Sequence, residues 1–235
     1  MPKYRHLFFD LDNTLYDFEA NSFLAMKNAF DKLGILSELS SFDDYFKTYR
    51  SINAALWAEY REKKITKDHL RGKRHQDTLA EYNIHPPMSF TGIDDTYLEM
   101  MTNQTELFPD TIEVLNALKK KGYNLHIITN GFKEVQHKKL KKTKLSDYVN
   151  NVYISEEIKS PKPSREIFEH AIKSSNARKT ESIMIGDSWE SDIIGAKKFG
   201  IDQIFFRINN IPIDYGSYGA PTHTIYTLSE LLEIF

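Results

Sequence analysis

The chain has 235 residues with 31 basic and 33 acidic side chains, and its formal net charge of −2 gives no global positive field of the kind that binds nucleic acid. It contains no cysteine, which excludes disulfides, thiolate metal ligands and a cysteine nucleophile. The apolar fraction of 40% is that of a soluble globular protein, and no run approaches the roughly 20 apolar residues of a membrane span, so we expect a cytoplasmic protein without a membrane partner.

The first predicted strand, residues 6–9, ends in two acids. Its apolar run is Leu7-Phe8-Phe9, and Asp10 and Asp12 follow it with one leucine between them. Two carboxylates this close repel each other, and burying either one unpaired is costly. The rest of the sequence must therefore supply charges that compensate for them.

A long helical block comes next. Apolar residues recur at helical spacing in three segments, 18–33, 41–63 and 67–81. We predict that residues 16–89 form a helical domain inserted after the first strand, where a lid over an active site would stand. The remaining residues, 1–15 and 90–235, are predicted to form an α/β core.

Beyond the insertion, short apolar runs alternate with helical patterns. The predicted strands are 125–128, 152–154, 183–185, 204–206 and 224–226, and the predicted helices are 111–121, 133–144, 164–175 and 191–199. Such alternation is typical of a parallel sheet covered on both faces, so the predicted fold is α/β with a Rossmann-like core. We expect the first strand between the second and the fourth.

Polar residues follow these strands as well. Thr129-Asn130-Gly131 follows the second strand, Lys162-Pro163 comes shortly after the third, and Gly186-Asp187-Ser188 ends the fourth, with Asp192 five residues beyond Asp187. Ligands of open parallel sheets bind outside the carboxyl ends of the strands, so we expect these groups to converge there with the two acids of the first strand.

This set of groups suits phosphoryl transfer. Several carboxylates stay ionised together around a hard divalent cation, and a donor set made only of oxygen suits Mg²⁺. A lysine and a hydroxyl can hold the remaining charge of a transferring phosphoryl group. An aspartate can attack phosphorus, and a second carboxyl can protonate the leaving oxygen and then activate water.

Four motifs resemble those of the haloacid dehalogenase (HAD) superfamily. FFDLDNTL, ITNG, Lys162-Pro163 and GDSWESD stand in the superfamily's order and at its strand ends, and the insertion stands where that family has its first-type helical cap domain. The runs IITNGF, ISEE and KPSREIF look most like the branch of pyrimidine 5′-nucleotidases. The resemblance implies Mg²⁺-dependent hydrolysis of a small-molecule phosphomonoester through an aspartyl-phosphate.

The resemblance also implies a role for each matching residue. Asp10 is the nucleophile, Asp12 is the general acid and base, and Lys162 neutralises the charge of the nucleophile and of the transition state. Thr129 binds the phosphoryl oxygens with help from the Asn130 amide. Lys159, three residues before Lys162, is the less favoured alternative for the lysine.

The metal ligands are implied in the same way. Asp10 and Asp187 provide carboxylates to Mg²⁺, and Asp12 provides its main-chain carbonyl. Asp192 orients Lys162 or a metal-bound water.

Plainer interpretations exist for some of these residues. Each acidic motif taken alone is also typical of turns and helix caps. The run Lys138-Lys139-Leu140-Lys141-Lys142 is interpreted as a solvated helix face, and the histidines as surface or packing residues. Trp57 and Tyr60 either stack on a base or pack helix against helix, and Phe132 is a candidate contact to the leaving group.

Several functions stay open beside the nucleotidase. A sugar-phosphate phosphatase shares every motif, and a phosphomutase would pass the same aspartyl-phosphate to a sugar. A dehalogenase is disfavoured because a halide leaving group needs no proton, whereas Asp12 supplies one. A binding protein without activity is disfavoured by the presence of all the motif residues together. The sequence identifies neither the substrate nor the oligomeric state.

Overall fold

Six parallel strands form one sheet in the computed structural model, which describes residues 3–209 and 212–235. The strands are β1 (His6–Phe9), β2 (Asn124–Thr129), β3 (Asn151–Ile154), β4 (Ser182–Gly186), β5 (Asp202–Phe206) and β6 (His223–Ile225). Their spatial order is β3-β2-β1-β4-β5-β6, and every neighbouring pair is parallel. The α/β class and the predicted place of the first strand, between the second and the fourth, are confirmed.

The middle of the sheet is covered on both faces. All four residues of β1 and all five residues of β4 are buried. Because successive side chains of a strand point to opposite faces, a wholly buried strand must have cover on each side. On one side, Phe8 and Met184 pack in a buried cluster with Phe168 and Phe199.

A second compact unit, Glu19–Gln104, lies in sequence between β1 and β2. Its helices are α1 (Phe18–Lys32), α2 (Phe42–Arg61), α3 (Lys67–Glu81) and α4 (Phe90–Met101). The last three helices begin at hydroxyl caps, because the side chains of Ser41, Thr66 and Ser89 each accept a hydrogen bond from a main-chain N–H of the first turn.

Helix α4 extends this unit beyond the predicted limit of residue 89. Residues 90–101 were assigned to the core without a helix, and Gly92 lowers the helix propensity of this segment. A buried ion pair ties α4 to α3: Arg74 Nε donates to Asp94 Oδ1 at 2.7 Å, with the two residues 2% and 0% exposed. Tertiary pairing thus outweighs weak local propensity in α4.

The first unit comprises Met1–Phe18 and Thr105–Phe235. Its helices are α5 (Thr111–Lys120), α6 (Lys133–Lys142), α7 (Ser155–Ile158), α8 (Arg165–Ser174), α9 (Gly195–Phe199) and α10 (Leu231–Ile234). A short π-helix, Trp189–Ile194, precedes α9, so the segment predicted as one helix, 191–199, begins in the π-helix. Within the described residues, no helix has the length and apolar character needed to cross a bilayer.

Candidate active site

The predicted site residues of the core gather where β1, β2 and β4 end. Asp10 directly follows β1, Thr129 is the last residue of β2, and Asp187 directly follows β4. The main-chain N–H of Asp10 donates to the carbonyl of Ile185 at 2.8 Å, which continues the pairing of β1 with β4 past the end of the strand. Parallel pairing therefore brings Asp10 and Asp187 to the same edge of the sheet.

A buried lysine joins two of the acids. Lys162 is 1% exposed, and its Nζ lies 2.7 Å from Asp10 Oδ1 and 2.7 Å from Asp192 Oδ1. The same Nζ donates to the carbonyl of Ile128 at 2.7 Å. Lys162 Nζ therefore makes hydrogen bonds to Asp10 and to the carbonyl of Ile128 and an ion pair with Asp192. Lys159 is exposed, so Lys162 is the lysine that reaches the acids.

Burial governs the charge of this cluster. Burial raises the pKa of Asp10 to about 7. The positive charge of Lys162 lowers this pKa, whereas the negative charges of Asp192 and Asp12 raise it further. Burial likewise raises the pKa of Asp187 well above its ordinary value, and Asp10 and Asp192 add to that rise. For Lys162, burial lowers the pKa, but Asp10 and Asp192 outweigh it and leave the pKa raised.

These acids also form a candidate cation site. One oxygen from each of Asp10, Asp187 and Asp192 can be chosen so that all three lie within 4.8 Å of one another. Three carboxylates facing a single ammonium leave two negative charges uncompensated, and the donors are all oxygen. A hard divalent cation fits that charge and that donor set.

Asp192 has a different set of partners from the other two acids. Its Oδ1 is paired with Lys162 and its Oδ2 accepts from the main-chain N–H of Ser188 at 3.1 Å. The charge of Lys162 thus faces Oδ1 and a main-chain N–H holds Oδ2, so Asp192 is suited to orienting Lys162. Gly186 permits this position, because a Cβ there would lie 2.5 Å from Cγ of Asp192.

Thr14 makes two hydrogen bonds to Asp187. The main-chain N–H of Asp187 donates to Thr14 Oγ1 at 3.1 Å, and Thr14 Oγ1 donates to Asp187 Oδ1 at 3.3 Å. The threonine is wholly buried, so it fixes the main chain and the carboxylate of Asp187 together. Thr14 was not among the predicted site residues, although its place four residues after Asp10 was an available signal in the sequence.

Asp12 has donors of its own, different from those of the other acids. Lys139 Nζ donates to Asp12 Oδ1 at 2.6 Å, and Gln136 Nε2 donates to Asp12 Oδ2 at 2.8 Å. Gln136 Nε2 also donates to Thr129 Oγ1 at 2.7 Å. The division of the two neighbouring acids between separate donors makes their proximity tolerable.

The interpretation of Lys139 as part of a solvated helix face is wrong. Its side chain is 2% exposed, whereas Lys138, Lys141 and Lys142 are exposed. The sequence contains the signal that would have found it, since Val135, Gln136, Lys139 and Leu140 repeat at the spacing of one helix face.

The side chain of Asn130 contacts the main chain of Lys162, and its predicted help in binding phosphoryl oxygens stays a prediction. Its Nδ2 donates to the carbonyl of Lys162 at 2.9 Å, and its Oδ1 accepts from the main-chain N–H of Lys162 at 2.8 Å. Both ends of the side-chain amide are therefore used to hold the backbone at Lys162. The side chain acts on the site through Lys162.

The aromatic candidates have neighbours within their own units. Trp57 and Tyr60 pack edge to face with ring centroids 5.6 Å apart and an interplanar angle of 82°. Phe132, at the start of α6, is 4% exposed. A contact of any of these rings with a substrate stays a prediction.

Comparison with known proteins agrees with this geometry. Residues 4–200 match the haloacid dehalogenase-like hydrolase family. The pyrimidine 5′-nucleotidase YjjG of Escherichia coli is 29% identical over 99% of this chain and 98% of its own length. The pyrimidine 5′-nucleotidase PynA of Streptococcus pneumoniae is 29% identical over 98% of this chain and 94% of its own length. A glyceraldehyde 3-phosphate phosphatase of Pyrococcus furiosus is 30% identical over 100% of this chain and 94% of its own length.

A solved structure extends the likeness to the whole fold. The HAD-hydrolase YfnB of Bacillus subtilis, crystallised with magnesium, superposes with a TM-score of 0.87 and 27% identity, over 99% of this chain and 98% of that one. The predicted motifs, the strand order and the family match agree over most of the chain. This protein therefore belongs to the haloacid dehalogenase-like hydrolase family.

Proposed function

We propose that this chain is an Mg²⁺-dependent phosphatase that hydrolyses small phosphomonoesters through an aspartyl-phosphate on Asp10, with pyrimidine nucleoside 5′-monophosphates as substrates. One observation carries the proposal: Asp10 lies 2.7 Å from the buried ammonium of Lys162, in a group of three carboxylates at the carboxyl edge of the sheet. An aspartate in that position can act as a nucleophile, because the ammonium of Lys162 can balance its charge and the charge of the phosphoryl group that it attacks.

In the first half of the reaction, a carboxylate oxygen of Asp10 attacks phosphorus. A bond forms between that oxygen and phosphorus as the bond from phosphorus to the ester oxygen breaks. Asp12 gives its proton to the departing oxygen, which leaves as an alcohol. Lys162, held by Asp10 and Asp192, is suited to balancing the charge of the phosphoryl oxygens.

In the second half, water hydrolyses the aspartyl-phosphate. Asp12, now ionised, takes a proton from a water molecule as its oxygen attacks phosphorus. The bond between phosphorus and Asp10 breaks, so that phosphate leaves and both aspartates return to their starting states. Thr129 donates its hydroxyl to a phosphoryl oxygen in both halves.

Asp10, Asp187 and the main-chain carbonyl of Asp12 are the residues that would hold Mg²⁺. When bound, the ion supplies positive charge that neutralises the phosphoryl oxygens and lets Asp10 and Asp187 stay ionised together. Asp192 and Thr14 act around this set by fixing Lys162 and Asp187.

The substrate assignment is supported by relatives and by the motif runs. Two relatives over nearly the whole chain are pyrimidine 5′-nucleotidases, and the runs around Thr129 and Lys162 look most like that branch. The relative from Pyrococcus furiosus acts on glyceraldehyde 3-phosphate, which makes a sugar-phosphate or triose-phosphate phosphatase the second candidate. We assign selection of the leaving group to the helical insertion.

The loss of activity in a variant of Asp10 tests the first part of the proposal. Phosphate release with Mg²⁺ is compared between the wild type and Asp10→Asn, with Asp147→Asn as the control for loss of an acid outside the site. We expect Asp10→Asn to be inactive and Asp147→Asn to match the wild type. Turnover by Asp10→Asn at the wild-type rate would refute the nucleophile assignment.

A substrate screen tests the second part. Values of kcat/KM are measured for pyrimidine and purine nucleoside 5′-monophosphates, glyceraldehyde 3-phosphate and hexose phosphates. We expect the pyrimidine nucleotides to lead. A higher kcat/KM for the sugar phosphates would replace the nucleotidase assignment with the second candidate.

A further inference from the structure

Two side chains of α6 form a clamp on Asp12, defined here as Gln136 and Lys139. They stand three residues apart, so they project from the same face of the helix one turn apart. Lys139 Nζ donates to Asp12 Oδ1 at 2.6 Å, and Gln136 Nε2 donates to Asp12 Oδ2 at 2.8 Å. Each carboxylate oxygen thus has its own donor, which fixes both the position and the rotation of the carboxyl group.

The environment of Lys139 shows that it is built for this contact. The side chain is 2% exposed, and a buried ammonium is costly unless it is paired. Besides Asp12, its Nζ lies 4.6 Å from the ring centroid of Tyr16 and 5.0 Å from that of Phe18, a cage that a cation favours. A lysine that served only solubility would extend to solvent, as Lys138 does.

The amide of Gln136 is also buried and hydrogen-bonded at this site. The residue is wholly buried, and its Nε2 donates both to Asp12 and to Thr129 Oγ1, the latter at 2.7 Å. Its Oε1 is buried without a hydrogen-bond partner in the described chain. The amide therefore leaves one acceptor unsatisfied in order to give N–H groups to Asp12 and Thr129, which is costly unless that arrangement is needed.

Gln136 also determines which way the Thr129 hydroxyl acts. Thr129 Oγ1 accepts from Gln136, and it accepts more weakly from the main-chain N–H of Gly131 at 3.4 Å. A hydroxyl has two acceptor positions and one donor hydrogen, so the hydrogen is left to donate to a third group. An oxyanion of a phosphoryl group would be such an acceptor.

We propose that Lys139 and Gln136 are positioning residues for the acid and base function of Asp12. They hold its carboxyl group at the orientation from which it gives a proton to the leaving oxygen and takes one from water. A carboxylate has about four lone-pair positions and the clamp uses two, so positions stay open for the transferred proton. The inference rests on the proposed role of Asp12.

The dependence of the rate on the leaving group tests the inference. An alkoxide leaves only with a proton, whereas p-nitrophenolate leaves without one, so misplacement of Asp12 slows attack on an alkyl phosphate more than on the aryl phosphate. We measure kcat/KM, which reports the first half of the reaction, for uridine 5′-monophosphate and p-nitrophenyl phosphate. The proteins are the wild type, Lys139→Met, Lys139→Arg, Gln136→Met and Asp12→Asn, with Lys138→Met as the matched control.

For Lys139→Met we expect kcat/KM to fall about 10²-fold with the alkyl phosphate and less than about tenfold with the aryl phosphate, the general range for loss of acid catalysis. Gln136→Met is expected to show the same selective loss, Lys139→Arg to recover most of it because a cation returns, and Lys138→Met to match the wild type. Methionine fills the space of either side chain without a charge, and thermal unfolding of each variant verifies that it is folded.

The outcomes separate the inference from the proposed function. If Asp12→Asn shows the selective loss but Lys139→Met retains the wild-type ratio of the two substrates, the positioning role is overturned and the proposed function stands. An equal loss on both substrates in Lys139→Met would also overturn it, because that pattern indicates a general structural defect. If the wild type hydrolyses neither phosphate, or Asp12→Asn shows no selectivity, the proposed function fails and the inference fails with it.

Discussion

The close approach of Asp192 to the end of β4 makes Gly186 the most sensitive position for testing how the site is assembled. A Cβ at residue 186 would lie 2.5 Å from Cγ and 2.8 Å from Cβ of Asp192. Carbon atoms in contact stand about 3.5–4.0 Å apart, so in Gly186→Ala the Asp192 side chain must retreat by about 1 Å. Lys162 Nζ lies 2.7 Å from Asp192 Oδ1, and it must then follow this movement or lose the ion pair.

A Lys162 that follows Asp192 is displaced from Asp10, and a Lys162 that stays loses the ion pair that orients it. A displacement of about 1 Å in a positioned catalytic group costs about 10²-fold in rate, so we expect kcat for phosphate release by Gly186→Ala to fall by about that factor. The free energy of unfolding of the core should fall by about 1–3 kcal/mol, as for other overpacked sites. Urea unfolding of the same samples separates this loss of stability from the loss of rate.

The matched control is Gly72→Ala. Its Cβ would lie 3.6 Å from Cγ2 of Thr91, which is an ordinary contact, and the change removes a glycine from the interior of α3. That variant should keep the wild-type kcat and gain up to about 1 kcal/mol in stability. Activity of Gly186→Ala within threefold of the wild type would refute the role assigned to Asp192, because the side chain would have moved without effect.

Three further predictions concern other parts of the core. Asn130→Ala removes the two hydrogen bonds to the Lys162 main chain, at 2.9 and 2.8 Å, so the free energy of unfolding should fall by about 2 kcal/mol in urea titrations; unchanged stability would contradict the role given to the amide. Burial lowers the pKa of His126 to about 4, so the unfolded chain binds a proton first as the pH falls, and the wild type should lose about 2 kcal/mol of stability relative to His126→Phe between about pH 7 and pH 5. The raised carboxyl pKa values of the site are common to both proteins and cancel in this difference, so parallel curves of stability against pH would refute the expectation. Millimolar Mg²⁺ should raise the Tm of the wild type, because an ion at a hundredfold excess over its Kd adds about 2.7 kcal/mol of stability. The Tm of Asp187→Asn should not change, and an equal rise in both proteins would exclude Asp187 as a ligand.

The main features of the sheet were predictable because they depend on local pattern and on a general rule of topology. Short apolar runs identified all six strands, and the rule that ligands bind at the carboxyl ends of parallel strands brought Asp10 and Asp187 to one edge. The site requires β1 and β4 to be neighbours, and they pair in parallel with Phe9 opposite Ile185. Residues directly after those strands could therefore be assigned to the site without coordinates.

The helix α4 was not predictable in the same way. Its sequence has weak helix propensity, and the helix is joined to α3 by the buried contacts of Arg74 with Asp94. An ion pair between residues twenty positions apart has no periodic signature in a sequence. The limit of the helical unit therefore follows from tertiary contacts.

The contacts of single side chains were the least predictable. Asn130 follows Thr129 in a loop, and only the path of the chain near Lys162 decides that its amide meets that backbone. Lys139 was hidden in a run of four lysines that composition assigns to solvent. Helix periodicity distinguishes it from its neighbours, because Lys139 shares the helix face of Val135, Gln136 and Leu140.

The two acids after β1 show why a spacing of two residues is useful. Asp10 is paired with Lys162 and Asp12 with Lys139, and both lysines are at most 2% exposed. Each carboxylate thus has its own buried counter-charge, so the repulsion between neighbouring acids is balanced by two separate ion pairs. Because α6 supplies one lysine and the segment before α8 supplies the other, a change at one of them leaves the contacts of the other acid in place. The nucleophilic and the acid–base functions proposed for this site can therefore be impaired one at a time, which a single shared counter-charge would not allow.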